Sequence, residues 1–139
     1  MNKIFTLFFS LLILTSCTST SKVSKSGFSE MGLVSEFITL MVNNAAPAGM
    51  MKYISPSYLK ENNINKADYK VNTYAPVDFR IENYINGMVF AKIWGNNRSW
   101  VHRLTFMVVK EEGKLYLKPG KHYDKVIDPW HRAETYLVE

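Results

Sequence analysis

The spacing of apolar residues predicts helices at the start of the folded part of the chain. Between residues 28 and 43 an apolar residue recurs every three or four positions, which is the period of an amphipathic helix. The members of this stripe are Val34, Phe37, Ile38, Met41 and Val42. Pro47 suits the first turn of a short helix, and Ser55 followed by Pro56 supplies a cap and a first-turn proline for another. We therefore expect one long helix and two short ones.

After Pro76 the period changes to two, which predicts β-strands. The clearest alternating segments span residues 77–85, 88–94, 99–110, 115–118 and 130–138. The pair Asn86-Gly87 separates the first two segments and favours a hairpin, because both residues of such a turn adopt positive φ. A weaker alternation at residues 69–74 predicts a further short strand, whereas residues 122–128 show no clear pattern.

Helices followed by strands predict an α+β domain over residues 28–139. We expect the N-terminal helices to pack on a curved antiparallel sheet of four to six strands. The sheet should curl around the long helix, because that helix has one strongly apolar face to bury. A chain of this length can form one domain with a single core.

The sequence does not decide which face of the longest predicted strand, residues 99–110, points inward. Trp100 and His102 share one face with Leu104, Phe106 and Val108, and Arg103 lies on the other face with Val101, Thr105, Met107 and Val109. If the first face is inward, His102 lies in the core or in a cavity. If the second is inward, Arg103 becomes the buried charge.

The first seventeen residues have the organisation of a secretory signal peptide. Lys3 supplies a positive charge, residues 4–14 are an apolar run too short to span a bilayer, and small residues precede Cys17. The ending Leu-Thr-Ser-Cys resembles the lipobox of bacterial lipoproteins, whose cysteine is lipidated and becomes the first residue. We therefore assign residues 1–16 to the signal peptide, Cys17 to a palmitate-type lipid anchor and residues 17–27 to a flexible tether. The alternative is an ordinary signal peptide with an incidental cysteine.

The resemblance to lipoproteins implies a location in the bacterial cell envelope. The tether is rich in Ser, Thr and Lys and has no acidic cluster directly after Cys17, which favours the outer membrane with the domain facing the periplasm. The predicted partner is thus the membrane, contacted through the lipid on Cys17.

Charge and cysteine content exclude several functional classes. The formal net charge is +5, but the lysines are scattered among acids, so we predict a solvated surface and no nucleic-acid partner. Cys17 is the only cysteine, so the domain has no disulfide, no thiol nucleophile and no thiolate metal site. The three histidines, His102, His122 and His131, lack metal-ligand spacing, and we predict neither a metal nor a cofactor.

Two stretches carry a family resemblance. The hairpin IENYINGMVFAKIW (residues 81–94) and the segment LTFMVVKEEGKLYLKPG (residues 104–120) resemble the nuclear-transport-factor-2-like superfamily, in which a cone of curved sheet is closed by N-terminal helices. Tyr116 stands where that pattern often has Trp. The resemblance implies a pocket at the open end of the cone. A cystatin-like sheet wrapped on a helix is the nearest structural alternative.

Some enzymes of that superfamily are isomerases and dehydratases that use Asp or His with Tyr in an apolar cavity. The corresponding catalytic candidates here are His102 and Asp78, each of which would need burial to shift its pKa. The simpler interpretation of His102 is a histidine at the edge of the core. The residues that we consider candidates for ligand contact are Trp94, Trp100, His102 and Arg103.

In the absence of a concentrated catalytic motif, the sequence favours a non-enzymatic ligand-binding or protein-interaction module. Its expected partners are an envelope protein or a small apolar ligand, and a homodimer through the open face of the sheet is a further alternative. The competing hypothesis is a small-molecule isomerase or dehydratase-like enzyme. An enzyme should hold a buried His or Asp in an apolar cavity, whereas an interaction module should expose an apolar patch on its sheet.

Overall fold

The computed structural model describes the backbone of residues 26–136 and the side chains of residues 29–131. The predicted signal peptide, Cys17 and most of the predicted tether lie outside the described residues. Helix α1 spans Ser26–Val42, a 3₁₀ segment spans Gly49–Tyr53, and helix α2 spans Pro56–Glu61. The long helix thus begins two residues before its predicted start. Within the described part of the chain, neither helix combines the length and apolarity needed to cross a bilayer.

The predicted start of α2 is confirmed in its atomic detail. Ser55 is the N-cap, and its Oγ accepts a hydrogen bond from the Tyr58 backbone N–H at 3.1 Å. Pro56 occupies the first turn, where its missing N–H costs no hydrogen bond. The segment predicted as a helix beginning at Pro47 is instead a 3₁₀ turn that begins at Gly49.

Five strands form the main antiparallel sheet, and their order is β2-β3-β4-β5 with β8 also paired to β4. Their bounds are β2 Asp78–Ile85, β3 Met88–Trp94, β4 Val101–Glu111, β5 Lys114–Lys118 and β8 His131–Tyr136. Strands β5 and β8 lie end to end along the edge of β4 that is opposite β3. Asn86 and Gly87 have φ of 50° and 81°, which confirms the predicted hairpin turn.

A second sheet of three short strands was not predicted. It has the order β1-β7-β6, with β1 Lys70–Val71, β6 Lys121–Tyr123 and β7 Val126–Asp128. Strands β1 and β7 are parallel, and strands β6 and β7 form a hairpin. Strands of two or three residues are too short to show an alternating pattern, which is why residues 122–128 gave no signal and the strand predicted at 69–74 is reduced to two residues.

The inward face of β4 is the one that carries His102. Leu104 and Phe106 on this face are fully buried, and Phe37 of α1 contacts Phe106 edge to face at 5.9 Å between ring centroids. The apolar stripe of α1 packs here, and burial of each large side chain stabilises the fold by roughly 1.5–3 kcal/mol. The fully buried residues of this core include Val34, Phe37, Ile38, Ile54, Val89, Ala91, Ile93, Leu104, Phe106 and Leu117. The predicted α+β class, helices packed on a mostly antiparallel sheet, is thereby confirmed.

Gly120 provides a test of how closely β6 and β8 approach. A Cβ atom at this position would lie 2.2 Å from the Trp130 backbone carbonyl oxygen. We expect Gly120→Ala to destabilise the fold by about 1–3 kcal/mol, because the backbone must move to relieve the contact. Urea unfolding followed by circular dichroism measures this change. Gly32→Ala is the matched control, since no atom lies within 4 Å of its added Cβ. That substitution in a helix should stabilise by about 1 kcal/mol, and equal losses in both variants would contradict the expectation.

Candidate functional site

His102 lies on the inner face of the main sheet within a group of aromatic rings. Its imidazole is 4.3 Å from the Tyr74 ring centroid and 4.9 Å from that of Trp100. Tyr74 in turn stacks on Trp130 at 4.8 Å, and Trp130 is almost fully buried. We call Tyr74, Trp100, His102 and Trp130 the aromatic cluster. Two of the four predicted ligand-contact residues, Trp100 and His102, are thus brought together.

The position of Trp100 depends on a glycine. A Cβ on Gly95 would lie 2.2 Å from the Trp100 Nε1 atom, so only a residue without a side chain lets the indole pack on this backbone. Trp100 lies just before the start of β4. Its close approach to Gly95 holds the indole against Tyr74 and His102. Part of the cluster remains in contact with solvent, since Tyr74, Trp100 and His102 are each only partly buried.

Burial lowers the pKa of His102 from its ordinary value of 6.5, because desolvation disfavours the charged imidazolium. The ring is therefore neutral near pH 7. A neutral imidazole can accept a proton, so the protonation state required of a general base is present. Tyr74 and Trp100 lie against the ring, an arrangement that suits stacking of an apolar ligand.

Asp78, the second catalytic candidate, does not join His102. It is exposed at the start of β2, and its Oδ1 accepts a hydrogen bond from the Phe79 backbone N–H at 2.8 Å. Its register partner is Trp94, which pairs with Val101 on the outer face of the sheet. Asp78 and His102 therefore lie on opposite faces, and exposed Asp78 lacks the buried setting that acid–base catalysis in an apolar cavity would need.

Trp94 and Arg103, the other two predicted ligand-contact residues, lie on the outer face. The Arg98 guanidinium lies over the Trp94 ring at 5.5 Å from its centroid. Arg103 belongs to a set of three cations, Arg80, Lys92 and Arg103, that are register neighbours across β2, β3 and β4. We call this set the cationic row. The structure thus divides the four predicted residues between two faces.

One acid lies within the cationic row. The carboxylate of Glu82 is 3.7 Å from Arg80 Nη2, 3.5 Å from Lys92 Nζ and 3.2 Å from Arg103 Nε. Glu82 sits at a β-bulge, where the register with β3 shifts between Ile81 and Asn83. The bulge places an extra residue on β2 and directs its side chain at the row. Two further acids adjoin the row, because Asp78 lies two residues before Arg80 on the same face and Glu134 on β8 is the register partner of Arg103. Arg80, whose side chain is 71% exposed, is the most accessible of the three cations.

Apolar side chains adjoin the cationic row on the same face. Met88 pairs directly with Met107, and Val109 pairs with Tyr116, while Phe90 lies two residues from Met88. All five are only partly buried, and Ile85 beside Met88 is 46% exposed. We call these six residues, Ile85, Met88, Phe90, Met107, Val109 and Tyr116, the apolar patch.

A polar cluster that sequence reasoning did not identify joins the small sheet to the aromatic cluster. Asp128 of β7 is only 5% exposed, and its Oδ1 accepts a hydrogen bond from Asn72 Nδ2 at 2.8 Å. Lys121 Nζ is 3.6 Å from the other carboxylate oxygen. We call Asn72, Lys121, Tyr123 and Asp128 the carboxylate site. The sequence offered no signal for it, because the short β6-β7 hairpin pairs Lys121 with Asp128 and the distant pairing of β1 with β7 brings Asn72 to them.

Two tyrosines connect these clusters electrostatically. Burial raises the pKa of Tyr58 and of Tyr74, and the nearby charge of Asp128 raises the pKa of each further. Tyr58 also shares a hydrogen bond of 2.8 Å with His122 Nδ1. Asp128 therefore influences both Tyr58 on α2 and Tyr74 in the aromatic cluster.

A cavity of about 300 Å³ lies at the start of α2 and shares Tyr116 with the apolar patch. It is lined by Pro56, Ser57, Lys60, Glu111, Glu112 and Tyr116. The Glu111 carboxylate accepts hydrogen bonds from the Ser55 hydroxyl and from the Ser57 N–H and hydroxyl. Burial would raise the pKa of Glu111, but these hydrogen bonds outweigh it and lower the pKa. None of the residues singled out from the sequence as site candidates lines this cavity.

Comparison of the chain with protein-family models, curated proteins and solved structures finds no significant match. Among residues with described side chains, no group of three or more His, Cys, Asp or Glu could hold a metal ion. Function therefore has to be inferred from the two faces of the sheet and the clusters around them.

The lowered pKa of His102 predicts a pH effect on stability. As pH falls below 6.5, the unfolded chain binds a proton at His102 before the native protein does, so the free energy of unfolding decreases. The effect ends once the pH falls below the native pKa. Urea unfolding at pH 7.5 and pH 5.5 should show a larger loss for the wild type than for His102→Gln, which cannot titrate. Identical losses, or an NMR titration of His102 with a midpoint above 6.5, would contradict this assignment.

Proposed function

We propose that this protein is a lipid-anchored envelope protein whose folded domain is a non-enzymatic interaction module. It docks a partner protein on the outer face of its main sheet. The observation that carries the proposal is the apolar patch, in which Ile85 is 46% exposed and the other five side chains, neighbours in register, are partly exposed. Contiguous exposed apolar surface of this kind marks interaction sites in soluble domains.

The cationic row determines the chemistry of the expected partner. Interfaces commonly combine an apolar centre with a polar, charged rim. Here the apolar patch provides the centre, and Arg80, Lys92 and Arg103 provide one side of the rim. A partner surface that fits would carry apolar residues next to Asp or Glu, since charge complementarity steers association and fixes register.

An isomerase or dehydratase-like enzyme is the second candidate. One observation favours it, namely that His102 is neutral near pH 7 and lies beside the Tyr74 ring. Against it, Phe37, Leu104 and Phe106 fill the space beneath the inner face, and Asp78 is exposed on the other side of the sheet. A binding module therefore fits the described residues better than an enzyme.

The nuclear-transport-factor-2-like assignment is part of the proposal. It is supported by helices that precede the sheet, by the Asn86-Gly87 hairpin and by the long strand β4 that leads into β5. A second copy of the chain is then a competing occupant of the outer face. A homodimer and a heterologous partner differ in mass, so they can be separated by experiment.

The anchor places the domain at a membrane surface. We propose that Cys17 carries the lipid and that the domain faces the periplasm from the outer membrane. The support is the sequence of charge, apolar run and small residues that ends at Cys17. A tether of about ten residues would keep the domain within a few nanometres of the bilayer.

Site-specific photo-crosslinking tests the docking face. Ile85 on the apolar patch and Tyr123 on the small sheet are 46% and 47% exposed, so they are matched positions for a photoreactive phenylalanine analogue. We expect the photoreactive residue at position 85 to crosslink to a partner and the one at position 123 to give no crosslink. Mass spectrometry identifies the adduct. Arg80→Glu should reduce the adduct several-fold, because it removes an exposed charge of the row.

Lys66→Glu is the control for that variant, since it makes the same charge change on an exposed loop elsewhere. Equal crosslinking from Ile85 and Tyr123, or an adduct insensitive to Arg80→Glu, would contradict docking on this face. An adduct of twice the chain mass would identify the second copy as the occupant.

Lipidation is tested separately. Wild-type chain expressed in bacteria with labelled palmitate should incorporate the label and fractionate with the outer membrane. Cys17→Ser should lose the label and accumulate as an unprocessed precursor, because the modified cysteine is needed before cleavage of this class of signal peptide. A Cys17→Ser chain that is processed normally would show that residues 1–16 form an ordinary signal peptide.

A further inference from the structure

Asp128 is a buried carboxylate whose charge is incompletely compensated. Its side chain is 8% exposed, and removing a carboxylate from water is unfavourable unless hydrogen bonds or a cation compensate. Oδ1 accepts the hydrogen bond from Asn72 Nδ2 at 2.8 Å. Oδ2 faces the Lys121 ammonium at 3.6 Å, which is longer than a hydrogen bond. The carboxylate site thus retains capacity to bind a cation more closely.

Lys121 shows how an ammonium group fits this site. Its Nζ lies 3.6 Å from the carboxylate and also 5.6 Å from the centroid of the Tyr123 ring. An ammonium near a carboxylate and an aromatic ring is the arrangement that cation–π recognition uses. The Lys121 side chain is nevertheless 71% exposed, so most of it is in water and it is held loosely.

Aromatic side chains adjoin the carboxylate from more than one element. Tyr123 on β6 is 47% exposed, and its hydroxyl is 3.2 Å from Asn72 Nδ2. Tyr58 on α2 and Tyr74 after β1 are half buried, and the Asp128 charge contributes to the raised pKa of both hydroxyls. Tyr58 bonds to His122, whose side chain lies on the face of β6 opposite to those of Lys121 and Tyr123. Tyr123 is therefore the ring that shares a face with Lys121 and Asp128.

We propose that the carboxylate site binds a small organic ammonium compound, which displaces the ammonium group of Lys121. The cation would lie between Asp128 Oδ2 and the ring of Tyr123, where the Lys121 ammonium now lies. This site is on the small sheet, separate from the apolar patch, so the inference does not depend on the proposed docking function.

The test is a titration of the full chain with tetramethylammonium chloride, followed by NMR. The side-chain amide of Asn72 is the reporter, because it donates to Asp128 directly. We expect a saturable shift of this resonance that sodium chloride at the same concentration does not produce. A response that sodium chloride reproduces would show ionic screening only and would overturn the proposal.

Variants at Lys121 and Tyr123 should change the affinity for the ammonium ion in opposite directions, which a purely structural role of these residues would not do. Lys121→Gln should tighten binding by about two- to fivefold, the extent to which a largely exposed ion pair competes. Lys66→Gln, an equivalent charge loss on an exposed loop, should leave the affinity unchanged. Tyr123→Leu should weaken binding several-fold without unfolding the chain, since this ring is half exposed. Unchanged or weaker binding by Lys121→Gln, or unchanged binding by Tyr123→Leu, would overturn the assignment.

Discussion

The packing of α1 against one face of the main sheet determines where every other residue of interest lies. Phe37 reaches Phe106, and both are fully buried. Because side chains alternate along a strand, this contact fixes Leu104 and His102 on the inner face and Arg103 on the outer face. Lys92 on β3 pairs in register with Arg103, and Arg80 on β2 pairs with Lys92, so both side chains also lie on the outer face. One helix thus separates an apolar interior from an exterior that carries charged side chains.

This separation bears on the choice between catalysis and binding. The inner face is occupied by core side chains, and its accessible end holds a neutral histidine among aromatic rings. The outer face combines partly exposed methionine and aromatic side chains with the cationic row. Surfaces of the second kind serve recognition, because they offer both desolvation of apolar area and electrostatic selectivity.

The sequence predicted the parts of the fold that depend on local pattern. The stripe of α1, the Ser55 cap, the Asn86-Gly87 turn and strand β3 were all predicted correctly, since each follows from spacing or turn chemistry. The grouping of Trp100 with His102 followed from the alternation along β4. Trp94 could not be assigned to a face in the same way, because that required knowing which side of the sheet α1 covers.

The small sheet could not be predicted from the sequence, because its strands pair between distant parts of the chain. Lys70 pairs with Val126, and Asn72 meets Asp128 across 56 positions of chain, while each strand has too few residues to show a period. Asp128 itself gave no sign of burial, since an acid before Pro129 and Trp130 is equally compatible with a loop.

The parallel pairing of β1 with β7 also has a consequence for the order of assembly. Local hairpins such as β2-β3 close short loops, whereas joining β1 to β7 must bring together segments more than fifty residues apart, which costs more chain entropy. The small sheet is therefore expected to form after the local hairpins. Because Val71 and Ile127 are buried in the same core as the main sheet, the surroundings of Asp128 are complete only once the two sheets have packed together.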